Sequence, residues 1–172
     1  MMRAAAARRR EWSPVRLVPT LATLALAVLS VLPLRFPDYA AVAPLLALAG
    51  LYYWTIYRPD LLQPPAAFLC GVVLDLLSGA PLGVSALVFL LARAAVLPQR
   101  RFFVDRLFPF VWGGFTLLAA AAIAFLWLLG SVLEGAILDM RAAVLQWVLT
   151  VACFPAVAYL LMRVQRGFLP SP

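Results

Sequence analysis

The sequence predicts an all-α polytopic membrane protein of six transmembrane helices with both termini on the cytoplasmic side. Three observations predict it. The chain of 172 residues is 66% hydrophobic with a mean hydropathy of +1.00, far outside the range of soluble domains. Its apolar residues fall into six runs parted by short stretches rich in Pro, Gly or Arg, and six spans of about 20 residues each consume most of such a chain. Of the 14 basic residues, all Arg, every one except Arg35 and Arg141 falls on a segment this topology places inside, as the positive-inside bias requires.

Composition also removes whole classes of chemistry. With no His in the chain, His-ligated metal sites, Ser-His-Asp triads and Cys-His pairs are excluded together. With no Lys, Schiff-base chemistry goes too. The two cysteines, Cys70 and Cys153, lie within apolar runs and read as small apolar residues, not as a disulfide. No cofactor is expected. The net charge of +7 sits at membrane flanks, so its expected counterpart is anionic lipid and not nucleic acid.

Taken in order, residues 1–14 form a basic cytoplasmic arm carrying Arg3, Arg8, Arg9 and Arg10. The first span, residues 15–34, is read as an uncleaved anchor: its apolar core is long for a signal sequence, and Pro44 follows the Ala41-Val42-Ala43 stretch that resembles a cleavage site. The second, residues 39–57, has Tyr39 at one end and Tyr53, Trp54 and Tyr57 at the other, the placement of an interfacial aromatic belt. Pro64-Pro65 opens the third span, residues 64–79, Pro being suited to a helix's first turn. A tight Ala80-Pro81-Leu82 turn leads to the fourth, residues 83–97, where Arg93 is expected to snorkel to the cytoplasmic surface. Arg100, Arg101 and Arg106 then make a basic cytoplasmic loop. The fifth span, residues 107–129, has a thin section at Gly113-Gly114 and Ala119 to Ala122. Residues 131–141 form an outer loop, and the sixth span, residues 142–162, carries Pro155 as an expected kink before Arg163, Arg166 and a tail of residues 164–172.

The chemically unusual stretch is Phe68 to Gly83, F-L-C-G-V-V-L-D-L-L-S-G-A-P-L-G. Asp75 is the one convincing intramembrane acid, and an Asp in a membrane helix costs roughly 2.5–3.5 kcal/mol on insertion scales, so it needs a partner, a wet cavity or a shallow depth. Ser78, Gly79, Pro81 and Gly83 end the helix one turn later, which places the carboxylate near the outer face. Hydrogen bonds from backbone N–H groups or hydroxyls between Ser78 and Ser85 are its expected partners, with direct contact to a partner protein at the Gly71, Asp75, Ser78 and Gly79 end as the alternative, and Arg93, at the opposite face, is not expected to reach it. Gly71, Asp75 and Ser78 are spaced to share one helix face, a small polar stripe that invites close approach by another helix.

The spacing Phe68, Gly71, Asp75, Leu76, Ser78, Gly79, Leu82, Gly83 resembles the signature of the MreD family of rod-shape-determining inner-membrane proteins, and Tyr52-Tyr53-Trp54 followed by Arg58-Pro59 resembles the end of that family's second helix. The resemblance covers about the middle third of the chain. It implies a fold like that of the substrate-binding subunits of energy-coupling-factor transporters, and a non-catalytic role in the cell-elongation complex. It further implies binding to the bitopic protein MreC and, through it, association with MreB filaments, RodA and the elongation transpeptidase. The competing expectation is a vitamin-type substrate-binding subunit, which requires several polar side chains converging on a ligand. The spans offer chiefly Asp75, Thr116, Gln146 and Thr150 for that purpose.

Overall fold

The computed structural model describes residues 17–32, 42–104 and 107–168, and among these the chain forms six α-helices and no strand. The helices are α1 (Leu17–Val31), α2 (Leu46–Tyr57), α3 (Pro64–Ser78), α4 (Val84–Val104), α5 (Phe108–Glu134) and α6 (Met140–Phe168). The basic arm, the signal-like stretch through Ala41, Tyr39, Arg106 and the last four residues lie outside the described residues.

The bundle is organised around its shortest helix. α2 has 12 residues, and all from Leu46 to Ile56 are buried against α1, α4, α5 and α6. This corrects the expected aromatic belt. Tyr52, Tyr53 and Trp54 are core residues, and only Tyr57, at 37%, is substantially exposed. The physical reason is the crowding around α2. Tyr52 meets Phe103, Phe115 and Phe154 at centroid distances of 6.2, 5.4 and 5.8 Å, and both of the buried tyrosine hydroxyls find acceptors. Tyr52 Oη donates to the Val111 carbonyl and Tyr53 Oη to Gln165 Oε1, each at 2.9 Å.

Because α2 is short, the backbone ahead of it is non-helical while packed inside the bundle, and its polar groups require side-chain partners. Thr150 Oγ1 accepts from Leu45 N at 3.0 Å, Ser30 Oγ accepts from Leu46 N at 3.1 Å, and Gln146 Nε2 donates to Ala43 O at 2.9 Å. These three contacts tie α1 and α6 to the entry of α2.

Three of the expected boundaries are extended. α4 continues through Pro98 to Val104, so Arg100 and Arg101 lie on a helix end and not in a loop. The physical reason is packing, since Phe103 seats its ring against Tyr52 and carries the helix onward. α5 and α6 have 27 and 29 residues, about 40 Å each, and leave only Gly135 to Asp139 between them where a longer outer loop was expected. Gly135, with φ +64°, terminates α5. Trp127 Nε1 donates to Leu138 O at 3.0 Å and Leu138 N to Ser131 Oγ at 3.2 Å, closing the hairpin. Pro155, where a kink was expected, lies inside the continuous helix α6 and leaves one carbonyl open. Pro cannot donate to the carbonyl four residues back, and Trp112 Nε1 fills the vacancy by donating to Val151 O at 3.1 Å.

The core is apolar, and so is much of the outer surface. Leu117, Val132, Ile137, Leu145 and Leu160 face outward, while Thr23, Ser30, Thr55, Asp75, Ser85 and Thr150 are buried. Thr23, Ser30, Thr55 and Thr150 each donate to the carbonyl four residues back, so the interior hydroxyls are satisfied locally. α5 and α6 are long and apolar enough to cross a bilayer, and only 17% and 28% of their most apolar windows are buried. That exposure sets them apart from the core helices of a soluble domain, which pass the same length test while buried.

Candidate functional site at the α3–α4 turn

α3 and α4 approach backbone to backbone. A Cβ added to Gly71 meets Ala86 Cα at 2.3 Å and Ala86 N at 2.5 Å, so only glycine fits. One turn further along α3, Asp75 is fully buried. Its Oδ2 accepts from Gly83 N at 2.8 Å, and Ser85 N donates to both oxygens, at 3.0 Å to Oδ1 and 3.2 Å to Oδ2.

Gly83 and Ser85 stand at the start of α4, where unpaired N–H groups and the positive end of the helix dipole meet. The carboxylate from α3 therefore caps α4 from outside its own sequence. The turn that makes this reach feasible depends on two left-handed residues, Gly79 at φ +72° and Gly83 at φ +97°. Val84 N donates to Pro81 O at 3.3 Å within it.

The structure divides the sequence motif into two groups. Gly71 and Asp75 face inward and hold α3 to α4. Phe68, Leu76 and Leu82 face outward, at 44%, 64% and 68% exposure, and Ser78 is exposed as well. The Ser78 hydroxyl donates to the Asp75 main-chain carbonyl at 3.4 Å and does not reach the carboxylate, so Ser78 is not part of the buried polar face expected of it. Beside the turn lies a crevice of about 440 Å³, bounded by Pro81, Glu134, Gln146 and the exposed Ser78.

Arg93 behaves differently from a side chain free to snorkel. Its Nε donates to Leu62 O at 2.9 Å and its Nη2 to Pro59 O at 3.3 Å, fastening the α2–α3 connection to α4. Sequence reasoning missed this contact, as it missed the roles of Ser30, Gln146 and Thr150; the available signal was polar residues facing a Pro44-interrupted apolar run. Thr116, a further candidate for ligand contact, donates to Trp112 O at 2.9 Å. Arg101, at the far end of α4, is exposed. No group of three His, Cys, Asp or Glu able to hold a metal occurs among the described residues, and both cysteines are free thiols.

Fold and site together define an all-helical protein with two bilayer-length apolar helices, whose one buried acid among the described residues is spent on its own backbone. The family profile described as rod shape-determining protein MreD matches residues 14–164, nearly the whole chain, and the chain belongs to the MreD family. Neither the curated proteins nor the solved structures yield a significant match.

Proposed function

We propose that this chain is a non-catalytic, multi-pass component of the inner-membrane cell-elongation complex, with six spans and both termini cytoplasmic, that binds an MreC-like bitopic protein. Through that partner it associates with MreB filaments, RodA and the elongation transpeptidase, and so helps position lateral peptidoglycan synthesis. Membership of the MreD family supports the rod-shape role. The observation that carries the binding reading is the divided motif: Phe68, Leu76 and Leu82 stand outside the packing that Gly71 and Asp75 maintain. An apolar face of this kind beside a polar crevice suits a neighbour's membrane helix and its juxtamembrane segment. The proposed topology puts that end at the periplasm.

The vitamin-binding alternative loses ground on the polar side chains. Asp75, Thr116, Gln146 and Thr150 each engage main-chain groups of this protein and do not converge on a shared cavity. On this reading, the likeness to energy-coupling-factor subunits that the family resemblance implies would concern architecture and not ligand capture.

The test is co-purification of MreC with tagged protein carrying Phe68→Ala, Leu76→Ala and Leu82→Ala together, alongside microscopy of the host cells. Normal accumulation with loss of MreC and of rod shape is the expected result. Full MreC recovery with wild-type morphology would place the interface elsewhere.

A further inference from the structure

At the other end of the bundle, a cleft of about 540 Å³ opens between α2, α5 and α6. Its wall is apolar, formed by Phe108, Val111, Phe154, Ala158 and Met162, with Tyr57, Gln165 and Arg166 among its polar lining. Phe154 stacks on Phe115 at 4.3 Å and lies over Phe108 at 6.2 Å, which fixes the aromatic wall. Tyr53 holds Gln165 by its hydroxyl, whereas Arg166 is exposed and makes no hydrogen bond or ion pair among the described residues. Arg163, one turn away from Tyr159, is engaged by that residue, its Nη2 lying 2.7 Å from the Tyr159 hydroxyl.

We infer that this cleft is a binding site for an anionic glycerophospholipid, one acyl chain lying along the Phe108–Phe154 wall and the headgroup phosphate meeting Arg166. Three observations converge on that occupant. The cleft is bounded by α5 and α6, the two helices whose apolar surface is least buried, so hydrocarbon has access to it. Its volume and apolar lining fit a chain, and an apolar cleft with a few placed polar groups is the usual form of a small-molecule site. The exposed Arg166 guanidinium, which lines the cleft with Tyr57 and makes no hydrogen bond or ion pair among the described residues, supplies charge complementarity to a phosphate, and basic pockets between membrane helices on the cytoplasmic side select anionic headgroups. Arg166 lies on the cytoplasmic side only under the topology proposed above, and to that extent the inference rests on it.

Full-length protein purified in detergent is exchanged into vesicles of equal parts phosphatidylglycerol and phosphatidylethanolamine with matched acyl chains, re-extracted, and weighed intact by native mass spectrometry. Phosphatidylglycerol should be retained about fivefold over phosphatidylethanolamine. Arg166→Gln, at an exposed position, should bring that ratio near one while the total lipid retained is unchanged. Ala158→Leu should lower retention of both lipids by crowding the cleft. Equal retention of the two lipids by the wild type, or an unchanged ratio in Arg166→Gln, would overturn the site. Displacement of the lipid by millimolar inorganic phosphate would also overturn it, by reducing it to a bare anion site. So would recovery of a polyprenyl phosphate, and not a glycerophospholipid, from protein extracted directly from native membranes. Gly167→Cys in a Cys70→Ala/Cys153→Ala background, labelled with a membrane-impermeant maleimide, tests the topology separately. Labelling from the periplasm would refute the orientation while leaving the lipid ratio to decide the cleft.

Discussion

The two ends of the bundle solve the same problem, holding polar groups in an apolar chain, in opposite ways. At the α3–α4 turn every polar atom that is buried is consumed: Asp75 takes the first N–H groups of α4, and Gly71 lets the two backbones touch. At the α2–α5–α6 end a cleft opens over aromatic rings, and Arg166 makes no hydrogen bond or ion pair among the described residues. The closed end is held backbone to backbone and presents outward apolar side chains beside a polar crevice to a neighbour. The open end has room inside for a small occupant. One part of the molecule is thus arranged for contact along a surface and the other for enclosure.

Substitutions at the two ends should separate these roles. The largest effect is expected at Gly71→Ala, where the added methyl meets the Ala86 backbone and no rotamer change relieves it. Overpacking of this kind costs about 3 kcal/mol or more, to be read as loss of the monodisperse peak in detergent chromatography. Asp75→Ala follows, stranding the Gly83 and Ser85 N–H groups in a buried position, at about 3 kcal/mol measured as a fall in thermal unfolding temperature. Asp75→Asn keeps one acceptor oxygen and should cost about half as much. Arg93→Ala removes two hydrogen bonds to the α2–α3 connection and should cost about 1–2 kcal/mol by the same assay. The smallest loss, about 1 kcal/mol, is expected for Gly79→Ala, because the left-handed φ of +72° is strained for Ala while the space around it is open. A Gly79→Ala loss equal to that of Gly71→Ala would mean the turn, and not the helix contact, holds this end together.

Much of this arrangement was legible in the residues. The bounds of α3 follow from Pro64-Pro65 and Gly79, and Asp75 could be matched to the following turn because a carboxylate one turn from a Gly-rich bend has few other donors in reach. The aromatic cluster was misread for an equally physical reason. Tyr and Trp near the end of an apolar run suit an interface, and only tertiary packing around a 12-residue helix moves them inside. The extension of α4 past Pro98 was hidden in the same way, since a Pro ahead of a basic cluster favours a loop until Phe103 finds Tyr52. Residues whose task is local, such as the capping Asp, could be read from spacing. Those whose task is to reach another helix, such as Thr150, whose hydroxyl oxygen accepts from the Leu45 N–H more than 100 positions away, could not.

On the proposed reading, the buried carboxylate holds the fold while the outward side chains hold the partner. The direct measurement is MreC captured per folded molecule, taken together with unfolding temperature, for Asp75→Asn and for the Phe68/Leu76/Leu82 triple alanine variant in the same membranes. Asp75→Asn should unfold at a lower temperature yet capture MreC at the wild-type ratio, whereas the triple variant should melt like the wild type and capture little. Normal stability with lost capture in Asp75→Asn, together with undiminished capture by the triple variant, would contradict that reading.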